Sequence, residues 1–181
     1  MQPSSLTALG GTHALALPSA RPLAVGLGGM ALFGFALRTA VTHEGFSLTH
    51  LGWAVSLPAV ALLAWALCLP ALYILWATRQ PGLGASQCVQ AALEAVHTLG
   101  LSLASTTPLL WFFAATAPES RIASPLAFLF TVLALVAGGH TFTQALQRFG
   151  ASFAGSTRIA FLVLHAITFA QCAHSAGLSW R

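Results

Sequence analysis

Lysine is missing from this 181-residue chain, and acidic residues are reduced to Glu44, Glu94 and Glu119. Charged residues amount to 6 % of the sequence, whereas soluble domains carry about 25 %. A water-exposed exterior cannot be built from so few charges, which excludes an ordinary soluble globular domain. The formal charge of +4 comes from seven arginines placed singly along the chain. Without a basic patch or stripe there is no electrostatic footprint for nucleic acid. Cysteine is equally sparse. Cys68, Cys88 and Cys172 are far apart, match no CxxC or zinc-ligand spacing, and read as small apolar residues.

What the chain has instead is apolar length. Hydrophobic residues make up 57 % of it, and a helix crosses a bilayer with about 20 predominantly apolar residues. Five segments meet that length, near 22–41, 51–77, 88–116, 125–146 and 158–177. The expected fold class is therefore all-α, a polytopic transmembrane bundle of five spans, with the lipid bilayer as its first partner. Turn formers and most charges fall between the spans, as in the Pro81 to Gly84 and Pro118 to Arg121 stretches. Residues 1–21 form a separate amino-terminal surface segment. That segment lacks the basic start and continuous apolar core of a cleaved signal peptide, so it is expected to be retained.

Five spans place the termini on opposite sides. With the amino terminus inside, Arg21, Arg79, Arg148 and Arg158 lie on the inner side, and Arg38, Arg121 and Arg181 on the outer. The positive-inside rule counts such residues near span ends, and four against three favours this orientation. An alanine-rich, lysine-free composition points to a bacterial cytoplasmic membrane.

Small residues recur four apart, at Ala24 and Gly28, Gly100 and Ala104, Ala134 and Gly138, and Ala166 and Ala170. In lipid such pairs permit close helix approach, so they are expected at helix interfaces. Pro58 and Pro70 fall inside the second span and Pro108 inside the third, where nearby Ser102, Ser105 and Thr106 could serve freed carbonyls. Trp53, Trp76, Trp111 and Trp180 lie near span ends, the usual interfacial position, while Trp65 is at mid-span and reads as a packing or lipid-facing residue.

Several short stretches resemble the Yip-domain family of five-span membrane proteins. They are Leu67 to Tyr73, the turn Pro81-Gly82-Leu83-Gly84, Ser86 and Gln90 opening the third span, and Thr107-Pro108 near its far end. The resemblance implies a non-enzymatic, membrane-organising protein. It supplies no catalytic residues, and the short amino-terminal segment departs from the extended arm of the eukaryotic members.

The polar residues inside the spans carry the remaining signal. Gln90, Glu94, His97 and Thr98 share one helical face, as do His140, Thr143, Gln144 and Gln147, and then Arg158, His165, Thr168 and Cys172. His97, His140 and His165 fall in the same half of the bilayer, with His140 and His165 able to face one another across adjacent helices. Two readings stay open. In one, the histidines bind haem b or a quinone, since imidazole is a common axial haem ligand. In the other they fix helix register by hydrogen bonding. Metal binding finds no support, because Glu94 is the only carboxylate in a span and no HxxxH pair occurs.

Glu94 needs a partner, since a charge at mid-bilayer costs about 2.5 to 3.5 kcal/mol on insertion scales. His97, Arg148 and Arg158 are within reach in principle, which predicts a polar clamp closing the inner ends of the third to fifth spans. No nucleophile with a paired base is visible, so no enzymatic activity is expected. The preferred reading is a non-catalytic accessory or scaffolding subunit that packs against other integral membrane proteins. The alternatives are a small redox subunit and a Yip-like membrane organiser.

Overall fold

A computed structural model of the chain describes residues 20–42, 47–48, 50–77, 84–117, 122–152 and 155–178. Apolar content forces these residues into helices, because a backbone in lipid must satisfy its own hydrogen bonds. The five helices are α1 (Ala20–Thr42), α2 (His50–Ala77), α3 (Ala85–Thr116), α4 (Ala123–Arg148) and α5 (Gly155–Ser175). All five are long and apolar enough to cross a membrane. Each predicted span falls inside one helix except at the last, whose 176–177 end forms a turn. At about 1.5 Å per residue, α3, with 32 residues, reaches roughly 48 Å and outruns a hydrocarbon layer of roughly 30 Å.

The helix ends follow local chemistry. Gln87 folds back so that its Oε1 accepts from the Gly84 N–H at 2.9 Å, which satisfies an otherwise free donor at the start of α3. Gly150, at φ 86°, ends α4, and the Ala151 N–H then donates to the Leu146 carbonyl at 3.1 Å. Gly177, at φ 72°, ends α5 in the same way, with Leu178 donating to Ala173 at 2.9 Å. Only glycine takes this left-handed conformation without strain. Pro58, Pro70 and Pro108 are all contained within continuous helices.

Neighbour relations in space differ from the order in sequence. The closest packing is between α1 and α3 and between α3 and α4, followed by α1 with α2, while α5 rests chiefly on α2 and only lightly on α4. The α1/α3 seam is built from glycine. A Cβ at Gly29 would strike the Gly100 carbonyl, one at Gly100 would strike the Gly26 carbonyl, and one at Gly26 would come within 2.8 Å of the His97 Cα. The backbones therefore touch, which is how small residues hold helices together where hydrophobic drive is weak. This corrects the expected pair on α1: Ala24 and Gly28 are exposed, and Gly28 faces open space. Gly100 and Gly138 do lie at interfaces, Gly138 against Ala95 and Leu99 of α3. Ala166 and Ala170 are both exposed.

Candidate functional site

Two polar features stand out, one at an end of the bundle and one in its middle. At the end, Glu94 of α3 pairs with Arg148 of α4, carboxylate Oε2 against guanidinium Nη2. Three residues along α3, one turn away, His97 Nδ1 donates to the carbonyl of Pro22 at 2.7 Å. That carbonyl belongs to the first turn of α1, so His97 ties the beginning of α1 to α3. Together the two contacts lock α1, α3 and α4 at one level of the membrane.

The expected clamp is thus only partly assembled. Arg158 does not pair with Glu94, and its Nε is buried without a hydrogen-bond partner among the described residues. The reason is topological: α5 rests chiefly on α2 and has at most marginal contact with α3, the helix that carries Glu94. His97 serves a backbone carbonyl rather than the Glu94 carboxylate. The inner-end pattern expected of the arginines can be followed only at Arg21, Arg148 and Arg158, which the alternating helices place together, since Arg79, Arg121 and Arg181 lie outside the described residues, as do residues 1–19 and Trp180.

The mid-bundle feature is aromatic. Trp65 of α2 lies 4.3 Å from His165 of α5 and 4.9 Å from Phe142 of α4, ring centroid to centroid. Phe161 stacks on Phe142 at 5.0 Å, and Trp76 covers Phe142 at 6.1 Å. The cluster joins α2, α4 and α5. Trp65 is a packing residue, 3 % exposed, and so is Trp76, which the sequence pattern had placed at the interface. Arg38 instead meets the aromatic interface residue Trp53, its guanidinium carbon 5.3 Å from the ring centroid.

Inside this cluster His165 is 2 % exposed, and neither of its ring nitrogens has a hydrogen-bond partner among the described residues; the Trp65 Nε1 is in the same position. Buried polar atoms are nearly always paired, and leaving one bare costs about 1 to 3 kcal/mol. Three bare polar atoms in one aromatic nest therefore mark the site as unusual. No sequence signal disclosed it, because Trp65 and His165 lie 100 residues apart on helices whose contact is not implied by their order.

The three histidines do not converge. His97 is held by Pro22, His140 sits on the outer face of α4 with Gln144 Nε2 3.0 Å from its Nε2, and His165 is enclosed by Trp65 and Phe161. His140 and His165 accordingly do not face each other. Among the described residues no three His, Cys, Asp or Glu side chains gather in a metal-binding group. The serine and threonine hydroxyls turn back on their own helices: Ser105 bonds the Ser102 carbonyl at 2.8 Å, Thr106 and Thr107 both bond that of Leu103, and Thr131 bonds that of Ala127.

The composition, the five apolar helices and the absence of strands among the described residues define the class: a polytopic α-helical integral membrane protein. Beyond the class no kinship is visible, since no family model, no curated protein and no solved structure matches the chain.

Proposed function

We propose that this protein is a non-catalytic accessory or scaffolding subunit that packs against other integral membrane protein, in a bacterial cytoplasmic membrane with its amino terminus inside. The observation that carries this reading is the outer face of α4. There His140, Gln144 and Gln147 are exposed in the isolated chain. His140 stands eight residues, roughly 12 Å, from the end of α4, inside the hydrocarbon layer. Polar side chains at such depth ordinarily face protein or a wet cavity, not lipid. A neighbouring protein on this face supplies what lipid cannot. The same role agrees with the membrane-organising function that the Yip-like stretches imply. Orientation is supported by Arg21, Arg148 and Arg158 sharing one end.

The test is a photo-crosslinking amino acid at position 140 in native membranes. The expected product is a discrete protein adduct, absent when the probe is placed at Val163 of α5. Adducts to lipid alone at position 140 would end the assembly reading.

A second reading is favoured by the bare His165 and Trp65. In it, the α2/α4/α5 nest takes the carbonyl headgroup of a lipid-phase ligand such as a quinone, with indole and imidazole N–H groups donating to it. Extraction of the purified protein would then yield about one quinone per chain, lost on replacing His165 by Phe. Extracts free of quinone would dispose of this reading and leave the first untouched.

A further inference from the structure

The outward positions of α4 follow one another at steps of three or four residues: Leu129, Leu133, Val136, His140, Gln144 and Gln147. They form one continuous stripe along the side facing away from the bundle. Its first half is apolar, with Leu129, Leu133 and Val136 each at least half exposed. Its second half carries an imidazole and two carboxamides. Lipid matches the first half and, at the depth of His140, offers the second no hydrogen bond.

The polar half is satisfied only in part. The Gln144 side-chain N–H lies on His140 Nε2 at 3.0 Å, so this imidazole nitrogen accepts and the ring proton resides on Nδ1. That leaves one N–H and the carbonyl oxygen of Gln144, together with the His140 Nδ1–H, without partners among the described residues. The pair taken together therefore presents donors and an acceptor, with the Gln144 carboxamide supplying one of each.

We propose that a second copy of this chain occupies this stripe. Two α4 helices lie side by side, parallel, related by a twofold axis along the membrane normal. The carboxamide of Gln144 in each copy both donates to and accepts from the polar pair of the other, and the Leu129, Leu133 and Val136 surfaces close above it. A twofold contact uses the same patch on both partners, so a patch with both donors and acceptors is complementary to itself. Because both copies insert the same way round, their polar pairs meet at equal depth by symmetry. A single polar position within an otherwise apolar seam also fixes the register of paired helices. The proposal rests on the reading that this face of α4 contacts protein, and it names the partner.

The experiment uses the purified chain in phosphatidylcholine vesicles. Cysteines are introduced as Leu133→Cys, Val136→Cys and, on the exposed face of α5, Val163→Cys, each in a Cys172→Ser background. Copper-phenanthroline with oxygen then oxidises facing thiol pairs to a disulfide. Dimers are expected from positions 133 and 136 at several-fold the yield from 163. The added substitution Gln144→Leu should lower that yield several-fold, and Gln144→Asn should retain most of it. Circular dichroism confirms that Gln144→Leu remains helical, and the mass of the unsubstituted protein on a native gel gives an independent measure of the dimer. Equal yields at all three positions, or a yield indifferent to Gln144→Leu, would overturn the proposal. Should the purified protein be monomeric while position 133 couples in native membranes only to a different protein, the second copy is wrong and the assembly reading stands. Coupling to no protein in either setting removes both.

Discussion

Glu94 and Arg148 are paired across the α3/α4 seam, one charge from the first third of α3 and one from the last residue of α4. The long arginine side chain lets its head descend to the carboxylate, which leaves the pair only partly covered by protein. We expect Glu94→Leu to destabilise the bundle by up to about 1 kcal/mol, because the pair is partly exposed and Arg148, at the helix end, turns to the interface once its counter-charge is gone. Glu94→Gln should lose less, since the carboxamide still accepts from the guanidinium. The double variant Glu94→Leu with Arg148→Leu should regain part of the loss. Thermal unfolding in detergent, arranged as a double-mutant cycle, measures the coupling. Strictly additive losses would show that the pair contributes nothing.

The glycine seam makes a sharper prediction. Gly100→Ala should destabilise by about 1 to 3 kcal/mol, as overpacking does, because its Cβ meets the Gly26 carbonyl, a backbone atom that cannot turn aside. Gly28→Ala, one residue from the seam, meets nothing and should be neutral or gain up to about 1 kcal/mol from helix propensity. Thermal midpoints of the two variants should move in opposite directions, or the first alone should fall.

How much of this was legible in the sequence depends on the kind of relation involved. Five spans could be read from apolar length, because a continuous apolar run of about 20 residues satisfies its own backbone in lipid as a helix. Periodicity groups Gln90, Glu94 and His97 on one face, and in the structure Glu94 turns to α4 while His97 turns to α1. Periodicity could not say which helix each meets. The α5 contact with α2, which separates Arg158 from Glu94 and His165 from His140, arises from packing between non-consecutive helices. The phase of α1 was equally hidden: among Ala24, Gly26, Gly28 and Gly29 the spacing allows two seams, and only the position of Gly100 selects one. His97 bonds a main-chain carbonyl, which no side-chain pattern announces.

His97→Ala should cost about 0.6 kcal/mol, the average for a hydrogen bond between membrane helices. The loss should be local. Amide exchange should quicken in the first turn of α1, around Leu23 to Val25, and remain unchanged in α5. Uniform acceleration across all helices would contradict the assignment.

His165→Phe keeps a ring against Trp65 and Phe161 while removing two bare nitrogens. In the isolated protein we expect stability to hold or to rise by about 1 to 3 kcal/mol, the cost of an unsatisfied buried polar group. Trp65→Ala, which empties the centre of the cluster, should instead lower it by about 3 to 5 kcal/mol. Chemical unfolding followed through helix content distinguishes the two.

The glycine contact between α1 and α3 also sets an order of events during synthesis. The face of α1 that carries Gly26 and Gly29 has no permanent neighbour until α3 has left the insertion machinery, because α2 meets α1 along a different edge, at Gly34 and Trp53. A nascent chain ending after α2 therefore holds an unclosed groove as wide as a backbone. The emergence of Gly100 is the moment at which the first helix stops being a tethered segment and becomes part of a folded core. Mistakes in this protein's biogenesis should accordingly concentrate in that interval, when any other membrane helix bearing a small-residue face can occupy the groove first.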